Sequence, residues 1–144
     1  MTAAPLFRSQ RLYTASLVFS VLFALAGFTY NVWRMEVTEE NSNIRTACFE
    51  MLLTLSEFEQ LLYVAHYDGD LREGSPRKGW VRVNLVEDLS VLAGRTVEAR
   101  ARGLKAVWGA SWAEIATERE AVDRVVQAID GVRAEIKRVL RSLE

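Results

Sequence analysis

The chain has 144 residues, with 18 basic and 19 acidic side chains and a formal net charge of −1 at pH 7. This near-neutral balance gives no basic surface for nucleic acid, so we expect no nucleic-acid partner. A single cysteine excludes an internal disulfide framework, and a single histidine excludes a multi-histidine metal site. We therefore expect no metal and no other cofactor.

The first predicted element is an apolar stretch without charged side chains, Leu12–Trp33. A helix of that length rises about 33 Å, close to the ~30 Å hydrocarbon thickness of a bilayer. Arg8 and Arg11 precede it, and Ala24-Leu25-Ala26 fits the cleavage pattern of a secretory signal peptide. The apolar run continues past that site, whereas a signal's apolar region spans only ~7 to 15 residues. We favour a permanent transmembrane anchor at 12–33, with a signal peptide as the alternative.

The charges that flank the anchor predict its orientation. Two arginines and no acid precede it, whereas Arg34 is followed by Glu36, Glu39 and Glu40. The positive-inside rule then makes residues 1–11 a short cytoplasmic tail and residues 34–144 an extracytoplasmic domain. A bacterial inner membrane with a periplasmic domain is the simplest setting. The reverse orientation stays open because few charges are counted.

Small residues mark one face of the anchor helix. This partner face would let another transmembrane helix approach closely. It consists of Ser16, Ser20, Ala24 and Gly27. The lipid bilayer and a second transmembrane segment are therefore expected partners.

After the anchor, apolar residues recur in alternate steps of four and three, which predicts a helix over about 38–67. This helix-one seam consists of Ile44, Cys48, Met51, Leu55, Phe58 and Leu62. Residues 38–43 are polar and poor in helix formers, and they read either as a hinge or as part of one long helix. If the seam paired with its copy, two Cys48 thiols would meet; we favour a seam covered by later helices, which carry apolar stripes of their own.

A glycine-rich loop at 68–79 leads to a second predicted helix at about 80–108. Its apolar seam is predicted to run through Leu85, Leu89, Leu92, Thr96, Ala99, Gly103 and Ala106. Gly109 suits a helix stop, and Ser111 with Glu114 has the form of a capping box. A third helix over about 111–143 follows, with one heptad register that only Glu118 breaks. The positions of this register are Ile115, Val122, Val125, Ile129, Val132, Ile136, Val139 and Leu143.

These elements predict an all-α fold. A single N-terminal transmembrane helix would continue into an antiparallel three-helix bundle with up-down-up topology. The second helix of such a bundle returns toward the membrane, which would put Trp108 and Trp112 at the lipid interface with Trp33. In the alternative, Trp108 and Trp112 are core residues at the end of the bundle. Arg100, Arg102 and Lys105 would share the membrane-proximal end, where they could pair with Glu36, Glu39 and Glu40 or form other solvated salt bridges.

The sequence shows no catalytic constellation. His66 could act as a base, with Tyr63, Tyr67 and Trp80 near it at the far end of the bundle. No nucleophile with an orienting partner, phosphate-binding loop or paired-carboxylate motif accompanies it. We expect no enzyme and no catalytic or cofactor-binding residue, and interpret His66 as a capping or surface residue.

Association is the function that remains. We expect a single-pass membrane-anchored helical-bundle protein that serves as a structural or accessory subunit, or assembly partner, of a membrane protein complex. Its partner would be another membrane protein or a second copy of the chain. The alternative is a periplasmic helical module that senses a small ligand, but the short cytoplasmic tail offers it no signalling output.

Overall fold

The computed structural model describes the backbone of residues 5–143 and the side chains of residues 12–143. The elements are α1 (Pro5–His66), α2 (Pro76–Ala93), α3 (Arg95–Ser111) and α4 (Arg119–Ser142). Within the described range the chain forms helices and turns and contains no strand. The all-α prediction is confirmed, but the described residues form four helices where three were predicted.

The first helix is continuous through the polar stretch 38–43, which agrees with the interpretation of these residues as part of one long helix. Backbone contacts divide the chain into two compact units, Met1–Glu40 and Asn41–Glu144. The side chains of residues 34–40 are exposed. Of the predicted tail 1–11, residues 1–4 lie outside the described residues.

The predicted second helix is interrupted at Gly94. This glycine alone separates α2 from α3 and has φ 104° and ψ 165°. That backbone conformation is open essentially only to glycine, because a Cβ atom would clash with the backbone of the residue itself and of its chain neighbours. The helix predicted over about 80–108 is therefore two helices. The first of them begins earlier than predicted, at Pro76, because proline's fixed φ suits the first turn of a helix.

The connection between α3 and α4 also differs from the prediction. Gly109 lies inside α3, which ends at Ser111, and residues 112–117 form turns before Glu118 takes the N-cap position of α4. The backbone N–H of Glu114 donates to the carbonyl of Ser111, so these two residues form a turn rather than a capping box.

Residues 41–143 enclose one hydrophobic core, to which all four helices contribute. The predicted register of α4 is confirmed, because its five apolar positions from Val122 to Ile136 are buried. Trp108 of α3 packs edge-on against Phe58 of α1, with ring centroids 5.1 Å apart. One hydrogen bond lies at each end of the second unit. His66 Nδ1 donates to the carbonyl of Ile115 over 2.9 Å. Arg45 Nη2 donates to the carbonyl of Leu143 over 2.6 Å.

Candidate interaction surfaces

The amino-terminal part of α1 exposes apolar side chains on all sides. Phe19, Phe23, Phe28 and Trp33 are each between 60% and 73% exposed. One helix of the described chain is long and apolar enough to cross a membrane, and the apolar window within it is 0% buried. Exposure of such side chains to water is unfavourable, because water solvates apolar surface poorly.

The four residues of the partner face share one side of α1, since they are spaced by helical steps of four and three. The Ser20 hydroxyl donates to the carbonyl of Ser16 over 2.9 Å, so its hydrogen bond is made within the helix. A Cβ atom placed on Gly27 would meet no atom within 4 Å. Ser16, Ser20, Ala24 and Gly27 thus leave a shallow, open strip along this unit.

The helix-one seam lies in the core of the second unit. Cys48, Met51, Leu55, Phe58 and Leu62 are fully buried, and Ile44 is partly buried against the same cluster. Apolar residues of α2, α3 and α4 cover the seam. Burial raises the pKa of the Cys48 thiol, because an apolar environment disfavours the thiolate. The seam is therefore occupied within one chain and is not free to pair with its copy.

The tryptophans after α2 occupy the end of the second unit where α1 stops. Trp108 is 1% exposed and lies against Phe58 and Trp80, so it is a core residue and does not face outward. Trp112, 42% exposed, lines a pocket with Ala65. The prediction had placed both at the end where α1 enters this unit. It is wrong, because Trp108 packs on Phe58 and both tryptophans lie beside Ala65, close to the carboxyl end of α1. An interface position for Trp33, in the first unit, stays a prediction.

Two of the three basic residues assigned to the same end have acidic partners within the second unit. Arg102 pairs with Glu98, one turn earlier on α3, and Lys105 Nζ lies 2.6 Å from Glu87 Oε2 on α2. Arg102 and Lys105 therefore form ordinary salt bridges, as in the alternative prediction. Exposed pairs of this kind contribute only ~0 to 1 kcal/mol each.

The sequence prediction chose the wrong apolar stripe of α2 for the core. The apolar side chains that α2 buries are Val83, Val86 and Ala93. Of the predicted seam, Leu89 packs partly buried against the core, whereas Leu85 is 44% and Leu92 is 56% exposed. Val81, on the same side as Leu85 and Leu92, is 68% exposed. A side of α2 that the periodicity had assigned to the interior is thus open to solvent.

Two further large apolar side chains are exposed on α1. Phe49 is 60% exposed and Leu53 is 58% exposed. Arg82 Nη1 lies 2.5 Å from Glu57 Oε2, so this salt bridge joins α2 to α1. Leu53 lies one turn before Glu57 on α1, and Leu85 lies one turn after Arg82 on α2. We call these five residues, Phe49, Leu53, Val81, Leu85 and Leu92, the α1/α2 apolar surface.

The residues considered for catalysis form hydrogen bonds of a structural kind. His66 contacts the carbonyl of Ile115 and lies edge-on to Tyr67, with ring centroids 4.7 Å apart. The Tyr63 hydroxyl donates to Glu59 Oε1 over 2.7 Å, and Arg133 Nη2 lies 2.6 Å from Glu59 Oε2. Trp80 packs on Trp108 instead of joining this group. Among the described residues, no group of three histidine, cysteine or acidic side chains could hold a metal ion.

These contacts shift two pKa values in opposite directions. Burial raises the pKa of Glu59, but the hydrogen bonds from Tyr63 and Arg133 outweigh it, and the net pKa is lowered. The hydrogen bond to Glu59 raises the pKa of Tyr63 to about 12. The arrangement keeps the phenol protonated and the carboxylate charged, so it joins α1 to α4 and supplies neither an acid nor a base near neutral pH.

Comparisons of this chain with protein-family models, with curated proteins and with solved structures gave no match. Any statement about function therefore depends on the physical properties of its two units.

Proposed function

We propose that this chain is a single-pass membrane protein whose helical domain binds a membrane protein as a structural or accessory subunit. Two features support the proposal. The first unit, in the part that the structure describes, carries large apolar side chains that are exposed. The second unit already has a complete core, yet it exposes further large apolar side chains.

The α1/α2 apolar surface is the observation that carries this proposal. Its five side chains are between 44% and 68% exposed. Contiguous exposed apolar surface is uncommon on soluble monomers and often marks a protein–protein interface. Because α1 and α2 are already fixed to the core on their opposite sides, this surface is available without any unfolding.

The proposed architecture of the domain is an antiparallel four-helix bundle in place of the predicted three helices. The contact of His66 with Ile115 and the contact of Arg45 with Leu143 support opposite directions for α1 and α4. The salt bridge from Lys105 to Glu87 supports a hairpin of α2 and α3 around Gly94. In such a bundle α1 and α2 are neighbours, and their outward sides together form the α1/α2 apolar surface.

The docking proposal is tested by placing charge on the α1/α2 apolar surface. We expect the double variant Leu85→Glu/Leu92→Glu to form at least ten-fold less of the complex between this chain and its partner than the wild type does. The reason is that a buried interface excludes an unpaired carboxylate. The measurement is native electrophoresis of the full chain, extracted from its own membranes with mild detergent. Mass spectrometry of the excised band then separates a second copy of the chain from a different membrane protein.

Val91→Glu provides the matched control. Val91 is 62% exposed on the same helix, but it projects about 100° away from Leu92. This variant should retain the complex. A wild-type chain that migrates as a monomer in native membranes, or equal loss of the complex in both variants, would contradict docking through the α1/α2 apolar surface.

We also propose that the chain lies in a bacterial inner membrane with its amino terminus in the cytoplasm and its helical domain in the periplasm. The arginines before the anchor support this orientation. A reporter enzyme that is active only outside the cytoplasm should be active when fused after Glu144. A stable but inactive fusion would reverse the orientation, and a mature chain that starts at Gly27 would establish a cleaved signal.

A second candidate function, sensing of a small ligand, is favoured by one specific observation. A pocket beside Trp108 is lined by apolar residues of the second unit.

A further inference from the structure

A groove of about 390 Å³, which we call the α3/α4 groove, lies between two helices of the second unit. Its α3 side runs from Ala99 to Val107, and its α4 side runs from Arg124 to Gly131. Eight helical steps of α3 correspond to about 12 Å along the helix axis, which is the length of the groove. The volume lies within the range of ~300 to 1,000 Å³ that is typical of small-molecule sites.

The floor of the α3/α4 groove is apolar and has few side-chain atoms. Leu104 is 1% exposed, so it belongs to the core beneath the groove. Four of the other lining residues are alanine or glycine, namely Ala99, Gly103, Ala128 and Gly131. Because these residues have small side chains or none, an apolar molecule can approach the backbone of both helices closely.

Neither packing nor backbone conformation explains the two glycines of the groove. A Cβ atom at Gly103 or Gly131 would meet no atom within 4 Å, and neither residue has a positive φ. Both lie inside helices, where glycine lowers stability relative to alanine. One use of glycine at such a position is the close approach of a ligand to the backbone, and here one glycine on each helix borders the same groove.

Two arginines give the α3/α4 groove a positive charge. Arg100 is exposed, and none of the ion pairs among the described residues includes it. Arg124 Nη2 lies 3.2 Å from Glu114 Oε2, and both of these side chains are about half exposed. The lining contains no acidic residue. An anionic ligand would therefore gain charge-assisted hydrogen bonds here that a neutral ligand lacks.

We propose that the α3/α4 groove binds a small organic anion with an apolar body, of the class of medium-chain fatty acid carboxylates. Arg100 and Arg124 attract the carboxylate, and the alkyl chain lies over Gly103 and Gly131. A helix of a partner protein fits less well, because 12 Å of a cylinder about 10 Å wide occupies about 900 Å³, more than twice the volume of the groove. The groove shares no residue with the α1/α2 apolar surface, so this inference does not depend on the proposed partner.

Octanoate is the probe, and the test uses the purified full chain in nanodiscs of phosphatidylcholine, a lipid without net charge. NMR follows the methyl resonances of Val107, which lines the groove and is identified by the loss of its signals in Val107→Ile. We expect a shift that saturates with the concentration of free octanoate. Octanamide, which has the same alkyl chain but no charge, should bind at least five-fold more weakly. Free concentrations are measured because both probes partition into lipid.

Arginine variants test the role of charge. Arg100→Gln/Arg124→Gln should lower the affinity for octanoate at least five-fold and leave the affinity for octanamide unchanged, because only the carboxylate pairs with the guanidinium groups. Arg77→Gln/Arg119→Gln is the matched control. It also removes two positive charges, but from exposed positions of α2 and α4 outside the groove, so it should bind octanoate as the wild type does.

Leucine substitutions test the position of the ligand. The space next to Gly103 and Gly131 is open, so Gly103→Leu/Gly131→Leu should fold and fill the groove. Its affinity for octanoate should be at least ten-fold lower. Ala110→Leu/Ala134→Leu places the same side chains at exposed positions of α3 and α4 outside the lining, and it should leave the affinity unchanged.

Three results would overturn the inference. They are the absence of a saturable shift at Val107, equal binding of octanamide and octanoate, and undiminished binding of octanoate in the arginine or leucine variants that alter the groove. The comparison of the two probes uses the wild-type chain, so the inference can be refuted even if a variant unfolds.

A different occupant would also be recognised. If Arg100→Gln/Arg124→Gln loses the native complex while the wild type takes up no octanoate, the groove holds an acidic segment of a partner protein, and the inference is wrong. The octanoate test contains no partner, so its failure leaves docking through the α1/α2 apolar surface standing, and failure of that docking leaves the octanoate result unaffected.

Discussion

The two parts of α1 place similar apolar side chains in opposite environments. Phe23, in the first unit, is 73% exposed, whereas Phe58, in the second, is fully buried. In the first unit apolar residues surround the helix, while in the second they form a stripe with polar residues opposite it. The arrangement of apolar residues around a helix, more than their number, separates a helix that leaves its apolar side chains exposed from one that buries them in a protein core.

The largest expected effect comes from replacing the two phenylalanines of this comparison by alanine. Phe58→Ala should lower the free energy of unfolding of the helical domain by ~3 to 5 kcal/mol, because it leaves a cavity beside Trp108. Phe23→Ala should change it by less than about 0.5 kcal/mol, because that side chain packs on no core. Both are measured by urea unfolding of the detergent-solubilised chain, followed by tryptophan fluorescence.

Equal destabilisation by the two substitutions would contradict the comparison. It would mean that the first unit contributes to the stability of the domain. Reduced membrane retention of Phe23→Ala, without any change in unfolding, would agree with it.

Gly94 and Gly103 provide a second contrast, between two glycines in one predicted helix. Gly94 has φ 104° and ends α2, whereas Gly103 lies inside α3. A Cβ atom at either position would meet no atom within 4 Å. The two sites therefore differ in backbone conformation and not in available space.

Alanine at these positions should have opposite effects. Gly94→Ala should destabilise the domain by ~1 to 3 kcal/mol, because the backbone conformation is strained for an L side chain. Gly103→Ala should stabilise it by up to about 1 kcal/mol, because alanine favours helix. Urea unfolding of each variant measures the difference. A Gly94→Ala variant as stable as wild type would argue for a continuous helix through residue 94.

The same contrast shows what the sequence could and could not predict. The anchor stretch, the helix-one seam and the register of α4 each follow from one unbroken periodic pattern, and the structure has a helix at each. On α2 two apolar stripes compete, one with Val83 and Val86 and the other with Leu85 and Leu92. A sequence window that runs through Gly94 favours the leucines, because their spacing continues into α3.

The interruption that decides between these stripes has no clear sequence signal. Gly103 and Gly131 are also glycines within predicted helices, and both remain helical. Which side of α2 is buried changes at the helix break at Gly94. The exposed side of α2 could not be predicted without knowing where that break occurs.

The smallest expected effect concerns the polar contact between α1 and α4. Its hydrogen bond to Glu59 raises the pKa of Tyr63 to about 12, whereas an unfolded tyrosine ionises near 10. Between these values the folded chain retains a proton that the unfolded chain loses, so stability falls as pH rises. The contribution of this contact is fully present below about pH 10 and is lost as the pH approaches about 12.

Tyr63→Phe should remove this part of the pH dependence. Tyr63 is 38% exposed, so solvent screening reduces the expected difference between wild type and variant to less than about 1 kcal/mol. The measurement is the free energy of unfolding at about pH 9 and about pH 11, compared between the two chains. Glu59→Gln should flatten the profile in the same way, because the amide lacks the charge that holds the phenol proton. A Tyr63→Phe profile parallel to that of wild type would show that this hydrogen bond does not persist in solution.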